Sequence, residues 1–224
     1  MAASGKRAKV GRRAGRPAGE DQDLRKRLLD AAIGQFARTG VAATSLRAIA
    51  ADANVTPAML HYYFGDKQRL LQAVIDERLL PALTPLRARL EQLGSDAVAL
   101  IGAFVGGISE VVADHPWLPP LWVREVLCEG GALREVLFTR AVPGVPQLMA
   151  QRFAAAQADG RLNAALDPRL LVVSLVGLTL FPAAGAPIWR RAFGAEKLGP
   201  ELMLTHTLAL LEHGIGTAKP GDVA

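Results

Sequence analysis

The chain of 224 residues has a single cysteine, Cys128, which excludes an intramolecular disulfide framework and fits a reducing cytoplasm. Aromatic residues are scarce, at 5%, and Ala and Leu dominate over β-branched types, so helix is favoured over strand. No stretch keeps a period-two alternation, and no internal repeat is visible. Histidine is also sparse. His61, His115, His206 and His213 stand at no metal-ligand spacing with Cys or carboxylates, and His206 and His213, seven apart on one helix, suit an interface or solvent. No glycine-rich phosphate loop occurs. Gly107-Ile108-Ser109-Glu110-Val111 begins like a nucleophile elbow but lacks the closing glycine and a preceding strand. An enzyme is therefore not expected, nor a metal or cofactor.

The N-terminus carries Lys and Arg without the apolar run of a signal peptide. The only membrane-like stretch, Leu170 to Ile188, is uncharged but interrupted by Pro182, Gly185 and Pro187. Its unbroken part, about Leu170 to Phe181, would span roughly 18 Å at 1.5 Å per residue, against ~30 Å of hydrocarbon. It reads as a buried helix, and the expectation is a cytoplasmic protein with no membrane partner.

Half of the residues are hydrophobic and 21% are charged, the composition of a globular chain long enough to bury a core. The charge is unevenly spread. Residues 1–67 contain 12 Lys and Arg against 6 Asp and Glu, whereas the remainder contains 14 against 15. A basic module joined to a near-neutral apolar one points to a polyanion at the first and a different partner at the second.

Residues 1–19, rich in Gly, Ala, Arg and Lys without hydrophobic periodicity, read as a disordered basic arm. From Leu24 the positions Leu24, Leu28, Ala31, Ala32 and Phe36 recur at helical spacing, and Gly40 is a stop signal. Thr44 to Ala51 forms a short helix with a hydroxyl cap at its start. Asp52-Ala53-Asn54-Val55 forms a turn in which Asn tolerates left-handed backbone. Thr56-Pro57 starts another helix with a cap followed by proline; it ends near Gly65, and Asp66 caps a fourth beginning at Lys67. Further helices are expected near 67–91 (with kinks at Pro81 and Pro85), 95–114, 118–128, 131–140, 144–159, 167–181 and 199–214. The fold class is all-α: a three-helix helix-turn-helix domain over 20–70, a helical domain over 71–214 and a flexible tail over 215–224.

Two short helices joined by a four-residue turn, with a long helix before them, form the grammar of a helix-turn-helix. The string Leu60-His61-Tyr62-Tyr63-Phe64-Gly65-Asp66-Lys67-Gln68-Arg69-Leu70-Leu71 resembles the end of the DNA-binding domain of TetR-family regulators. Phe36-Ala37-Arg38-Thr39-Gly40, Thr44 to Ala50, and Ala53-Asn54-Val55-Thr56 match in order upstream, so the resemblance covers Leu24 to Leu71. It departs at Asn54, where glycine is frequent, and at His61, where tyrosine is common. The resemblance implies that Thr44 with its neighbouring backbone, Tyr62, Tyr63 and Lys67 hold phosphates, Lys67 aided by the helix N-terminus. It also implies that Arg47, Thr56, Pro57, Ala58, Met59 and His61 face base edges, with Arg47 suited to guanine and Ala58 or Met59 to a thymine methyl. Leu60 and Phe64 belong to the core. In the arm, Gly15-Arg16-Pro17 beside Arg12 and Arg13 is similar to the core of minor-groove AT-hook peptides; a solvated tail is the alternative.

The same resemblance implies that the second module forms a homodimer on a double-stranded operator and binds a small effector. From the residues alone, the Leu170–Phe181 helix is apolar nearly all round and must be covered by its own domain or a partner chain. The last helix adds Leu202, Leu204, Leu208, Leu210 and Leu211. Candidate pocket aromatics are Phe104, Trp117, Trp122, Phe138, Phe153 and Trp189, with Met149. Arg124, Glu125 and Cys128 are the candidate polar members. Such a lining favours a hydrophobic or aromatic effector. Two rival classes differ testably: an enzyme needs a nucleophile or metal set that is not seen, and a nonspecific architectural protein would lack sequence preference and lose affinity steeply with salt.

Overall fold

The computed structural model describes residues 18–215, and among them every regular element is helical. Most of the arm and of the tail lie outside the described residues, including the Gly15-Arg16-Pro17 motif. The first helix, α1 (Ala18–Thr39), starts two residues inside the stretch read as arm. It buries Leu24, Leu28, Leu29, Ile33 and Phe36 against Ile49 and Ala50 of α2 (Leu46–Asp52), Leu60 and Phe64 of α3 (Pro57–Phe64), and Leu70 of α4 (Lys67–Val74). The expected stop and turn are present: Gly40 has φ +86° and Asn54 has φ +54°. The cap of α2 is Ser45, whose Oγ accepts the Ala48 N–H at 3.1 Å. Asp66 caps α4 by accepting the Arg69 N–H at 2.8 Å. Thr56 sits in extended cap geometry before Pro57 but makes no side-chain cap bond, which leaves its hydroxyl unspent.

α4 continues past the domain border near residue 70, as the helix expected near 67–91 requires. It runs through a π-helical turn, Ile75–Leu79, into α5 (Leu80–Gln92), with right-handed helical backbone at both junctions. Pro81 has no N–H to give the Glu77 carbonyl, and Arg78 Nη1 donates to that oxygen instead, at 3.0 Å. The Leu80 N–H reaches back five residues to Ile75, which widens the turn locally. One rod therefore joins both modules.

The second module continues with α6 (Ala97–Asp114) and α7 (Leu118–Trp122), the latter followed by a π turn, Val123–Leu127. Then come α8 (Arg134–Val136) with a π turn, Leu137–Ala141, and α9 (Val145–Ala158), α10 (Pro168–Ala184), α11 (Ala186–Phe193) and α12 (Pro200–Ile215). The helices expected over 118–128 and 131–140 are thus each partly π, and α11 is an element the sequence reading omits. α6 is the one described helix long and apolar enough to cross a membrane, a second such stretch besides Leu170–Ile188. Its Leu100, Ile101, Phe104, Val105 and Ile108 are buried, and it packs on α5, α10 and α12, as a core helix does.

The expectation of a buried helix at 170–181 holds for one face only. Leu171, Val172, Leu175 and Leu180 of α10 are buried, whereas Leu170 and Phe181 are 64% and 74% exposed. α10 also continues past Pro182 to Ala184. It then bends by 68° into α11 at Gly185, where Pro187 lacks the N–H to continue the ladder and the Trp189 Nε1–H ties back to the Pro182 carbonyl at 2.8 Å. On α12, Leu211 and Thr207 face inward while Leu202 and Leu210 are exposed.

Candidate nucleic-acid interface and effector cavity

α3 presents Pro57, Ala58, His61 and Tyr62 to solvent, preceded by Thr56 and flanked by Arg47 from α2. Met59 is half-buried against the core. Tyr62, 76% exposed, stands edge-on to Tyr63 at 5.2 Å. The Tyr63 hydroxyl donates to the Asp21 carboxylate on α1, so this ring stands as a brace between α3 and α1. His61 Nδ1 lies 2.6 Å from the Gly65 carbonyl. A carbonyl only accepts, so Nδ1 is the donor in this bond.

Thr44 differs from its expected place. It is buried, its hydroxyl donating to the Gly40 carbonyl at 2.6 Å and lying 2.8 Å from the Thr39 hydroxyl. Its side chain shapes the loop between α1 and α2, and the outward groups there are backbone and the capping Ser45. Lys67 Nζ donates to the Ala42 carbonyl of the same loop at 2.9 Å and keeps two protons for a further acceptor, beside the N-terminus of α4. Lys67→Ala is expected to weaken binding to all duplexes alike and to reduce the slope of log affinity against log salt by about 1, measured by fluorescence anisotropy.

Behind this surface, the loop is gripped from the second module. Glu125, 5% exposed, accepts the Val41 N–H at 2.7 Å with Oε1 and the Ala132 N–H at 2.9 Å with Oε2. Arg124 Nε donates to the Ala37 carbonyl at 3.1 Å. The sequence reading placed both residues among pocket candidates; the structure places them against α1 and its loop. Gly131 makes the Glu125 side of this clasp possible, because a Cβ there would collide with the Glu125 backbone.

A cavity of about 470 Å³ opens in the second module. α5 contributes Leu83, Leu86 and Leu90, and α6 contributes Phe104 and Ile108. Met149 comes from α9, and Val172, Val176 and Leu180 come from α10. Of the aromatic candidates, Phe104, Trp122 and Phe138 line the cavity, as does Met149. Phe153 is fully buried and outside the lining, Trp117 packs beside His115, and Trp189 lies on α11. Cys128 is exposed and outside the lining. Sequence reasoning missed the share of α5, although Leu79, Leu83, Leu86 and Leu90 already repeat at one-turn spacing.

Two π turns wall this cavity: Val126 and Leu127 from one, Leu137, Phe138 and Ala141 from the other. Each also reaches the rest of the molecule. From the first come Arg124 and Glu125. From the second, Arg140 pairs with Asp76 in the π turn of the long rod. Hydrogen bonds from Gln72 and then Arg140 hold the Asp76 carboxyl below the usual aspartate value. The neighbouring residues of that turn hold α1: Glu77 pairs with Arg25, and Arg78 pairs with Asp30 and donates to the Lys26 carbonyl at 3.1 Å.

Residues 28–74 match the family described as bacterial regulatory proteins, tetR family. RutR, an HTH-type transcriptional regulator of Escherichia coli K12, is 30% identical over 184 residues, which cover 82% of this chain and 84% of RutR. The chain belongs to the TetR family. BetI of Rhizobium meliloti strain 1021 is 39% identical over 79 residues, and there the chain spans only about a third of the relative, 34% of its length. The crystal structure of HlyIIR, a hemolysin II transcriptional regulator, superposes over 84% of this chain and 97% of its own with a TM-score of 0.62 at 17% identity, which is a likeness of fold. Members of the TetR family are DNA-binding transcriptional regulators rather than enzymes. In this TetR-family chain α2 and α3 are the helix-turn-helix, with α4 as the rod that leaves it.

Proposed function

We propose that the chain is a cytoplasmic homodimeric repressor that reads a palindromic operator with α3 and leaves it when a small apolar effector fills the cavity. One observation carries this reading: the two π turns that wall the cavity also supply the side chains that hold the DNA-reading module, directly at Val41 and Ala37 and through Asp76 on the rod. A molecule that repacks those turns biases where α1 and α3 sit. A tenfold loss of operator affinity requires about 1.4 kcal/mol of coupling. In this reading Arg47, Thr56, Pro57, Ala58, Met59 and His61 meet base edges. Tyr62, Lys67 and the backbone around Thr44 meet phosphates, and Tyr63 positions α3 from behind. The exposed apolar faces of α10 and α12 meet a second copy, which places two recognition helices on successive turns of the duplex, ~34–36 Å apart or a multiple.

The test is selection from a random duplex library by the purified chain at moderate salt, beside the Tyr62→Ala, Lys67→Ala double variant. A palindrome enriched by the parent and lost in the variant is expected. Absence of any enriched sequence would remove the reader. A cavity ligand that leaves operator affinity unchanged at fixed salt would remove the effector mechanism. A nonspecific architectural protein would instead bind all duplexes with the same steep salt dependence.

A further inference from the structure

We infer that Arg134 reads an anionic head group, so that the cavity takes an aliphatic chain ending in a single carboxylate. The inference rests on the cavity being the effector site and adds the chemical class of its occupant. The wall is mainly aliphatic, with three aromatic rings among many Leu and Val side chains, which suits a flexible chain better than a flat ring system. Its only charged members are Arg87 and Arg134. With no carboxylate in the lining, a cationic head at the mouth would meet the like charge of Arg134 and find no acidic partner.

The two arginines are not equivalent. Arg87 Nε is already paired with Glu91 at 2.8 Å. Arg134 faces no carboxylate among the described residues. It spends Nε on the Val126 carbonyl at 3.0 Å and Nη2 on the Leu127 and Cys128 carbonyls at 3.2 and 2.9 Å. Those three bonds cap the end of a helical turn with neutral acceptors and leave the positive charge and the Nη1 protons uncommitted; Arg134 is exposed, so its head stands at the solvent-side mouth of the cavity while its stem lines the apolar wall. A carboxylate binds a guanidinium best through two parallel N–H···O bonds. Taking Nη1 together with Nη2 draws the latter from the Leu127 and Cys128 carbonyls. The turn so uncapped is Val123–Leu127, which carries Arg124 and Glu125 and hence the grip on Ala37 and Val41. The head group thus acts on the clasp itself, while the chain supplies affinity by apolar burial.

The experiment is titration calorimetry of the full chain with three probes of equal chain length: sodium decanoate, 1-decanol and decyltrimethylammonium, each below its aggregation concentration. Decanoate is expected to bind at least fivefold more tightly than decanol, and the ammonium compound more weakly than both. In Arg134→Met the advantage of decanoate over decanol disappears, whereas in Arg87→Met it remains. Arg134→Lys, which keeps the charge with less loss of packing, retains part of it. Equal affinities for decanoate and decanol on the parent chain would overturn the role of Arg134 and leave the cavity as a site for neutral apolar molecules. So would an unchanged preference in Arg134→Met. Failure of all three probes to bind would overturn the cavity as an effector site, and with it this inference.

Discussion

Leu170→Glu with Phe181→Glu is expected to yield a folded monomer whose operator affinity is about 10²–10⁴-fold below the parent's. Both side chains stand out from α10, and neither lines the cavity, so the substitutions remove little packing within the chain. They do place two carboxylates on a face that otherwise presents Leu170, Val173, Gly177 and Phe181 in succession along the helix. Contiguous apolar surface of this kind is rare on monomers and marks an association site. In the proposed dimer, binding of the second recognition helix is intramolecular once the first has docked, and its high effective concentration would supply most of the operator affinity. Light scattering checks the mass, circular dichroism the helicity, and anisotropy the DNA affinity. A double variant that stays dimeric, or that is monomeric yet binds the operator as before, refutes the assignment of this face.

The second large effect is expected at Glu125. Glu125→Ala leaves the buried Val41 N–H and the part-buried Ala132 N–H without their acceptor. Hydrogen bonds to a charged acceptor are worth about 1.5–3 kcal/mol each, so the loss should reach about 3–5 kcal/mol. For a chain of this size that corresponds to a fall in Tm of roughly 6–20 °C. Glu125→Gln separates the two bonds. Its carbonyl can still accept from Val41, but its NH₂ then meets the Ala132 N–H donor to donor, so an intermediate fall is expected. The two modules should also uncouple. In Glu125→Gln, occupancy of the cavity should change operator affinity by a smaller factor than in the parent, with ligand affinity itself nearly intact, because Glu125 lies outside the lining. Scanning calorimetry gives the first quantity, and anisotropy with and without ligand the second. Equal melting temperatures in parent and alanine variant would show that the clasp contributes nothing.

Local chemistry carried much of the fold into view before any coordinates. The left-handed Asn54, the stop at Gly40 and the cap at Asp66 follow from backbone sterics and from a side-chain oxygen three residues from the N–H group it accepts. The proposed recognition surface is legible for the same reason: Pro57 to Lys67 is one short run whose exposed and buried positions follow helical period. Tyr63, tied to Asp21, and Thr44 are the exceptions. A hydroxyl at a helix entrance can serve outward or inward, and the partner that turned it inward, Thr39, belongs to the preceding helix.

What the sequence determined by itself is therefore most of the helices, the reader and the charge that suits it, because capping, periodicity and propensity act over one or two turns. What tertiary structure decided is how the two modules communicate. The three π turns follow no hydrophobic period, since the choice of an i−5 over an i−4 bond is made by packing and, at the first, by Pro81. Glu125 meets Val41 across 84 residues, and Arg140 meets Asp76 across 64. Nothing in the neighbourhood of any of the four marks its partner. A buried carboxylate is stable only where distant N–H groups converge on it, and that convergence exists only after the helices have packed.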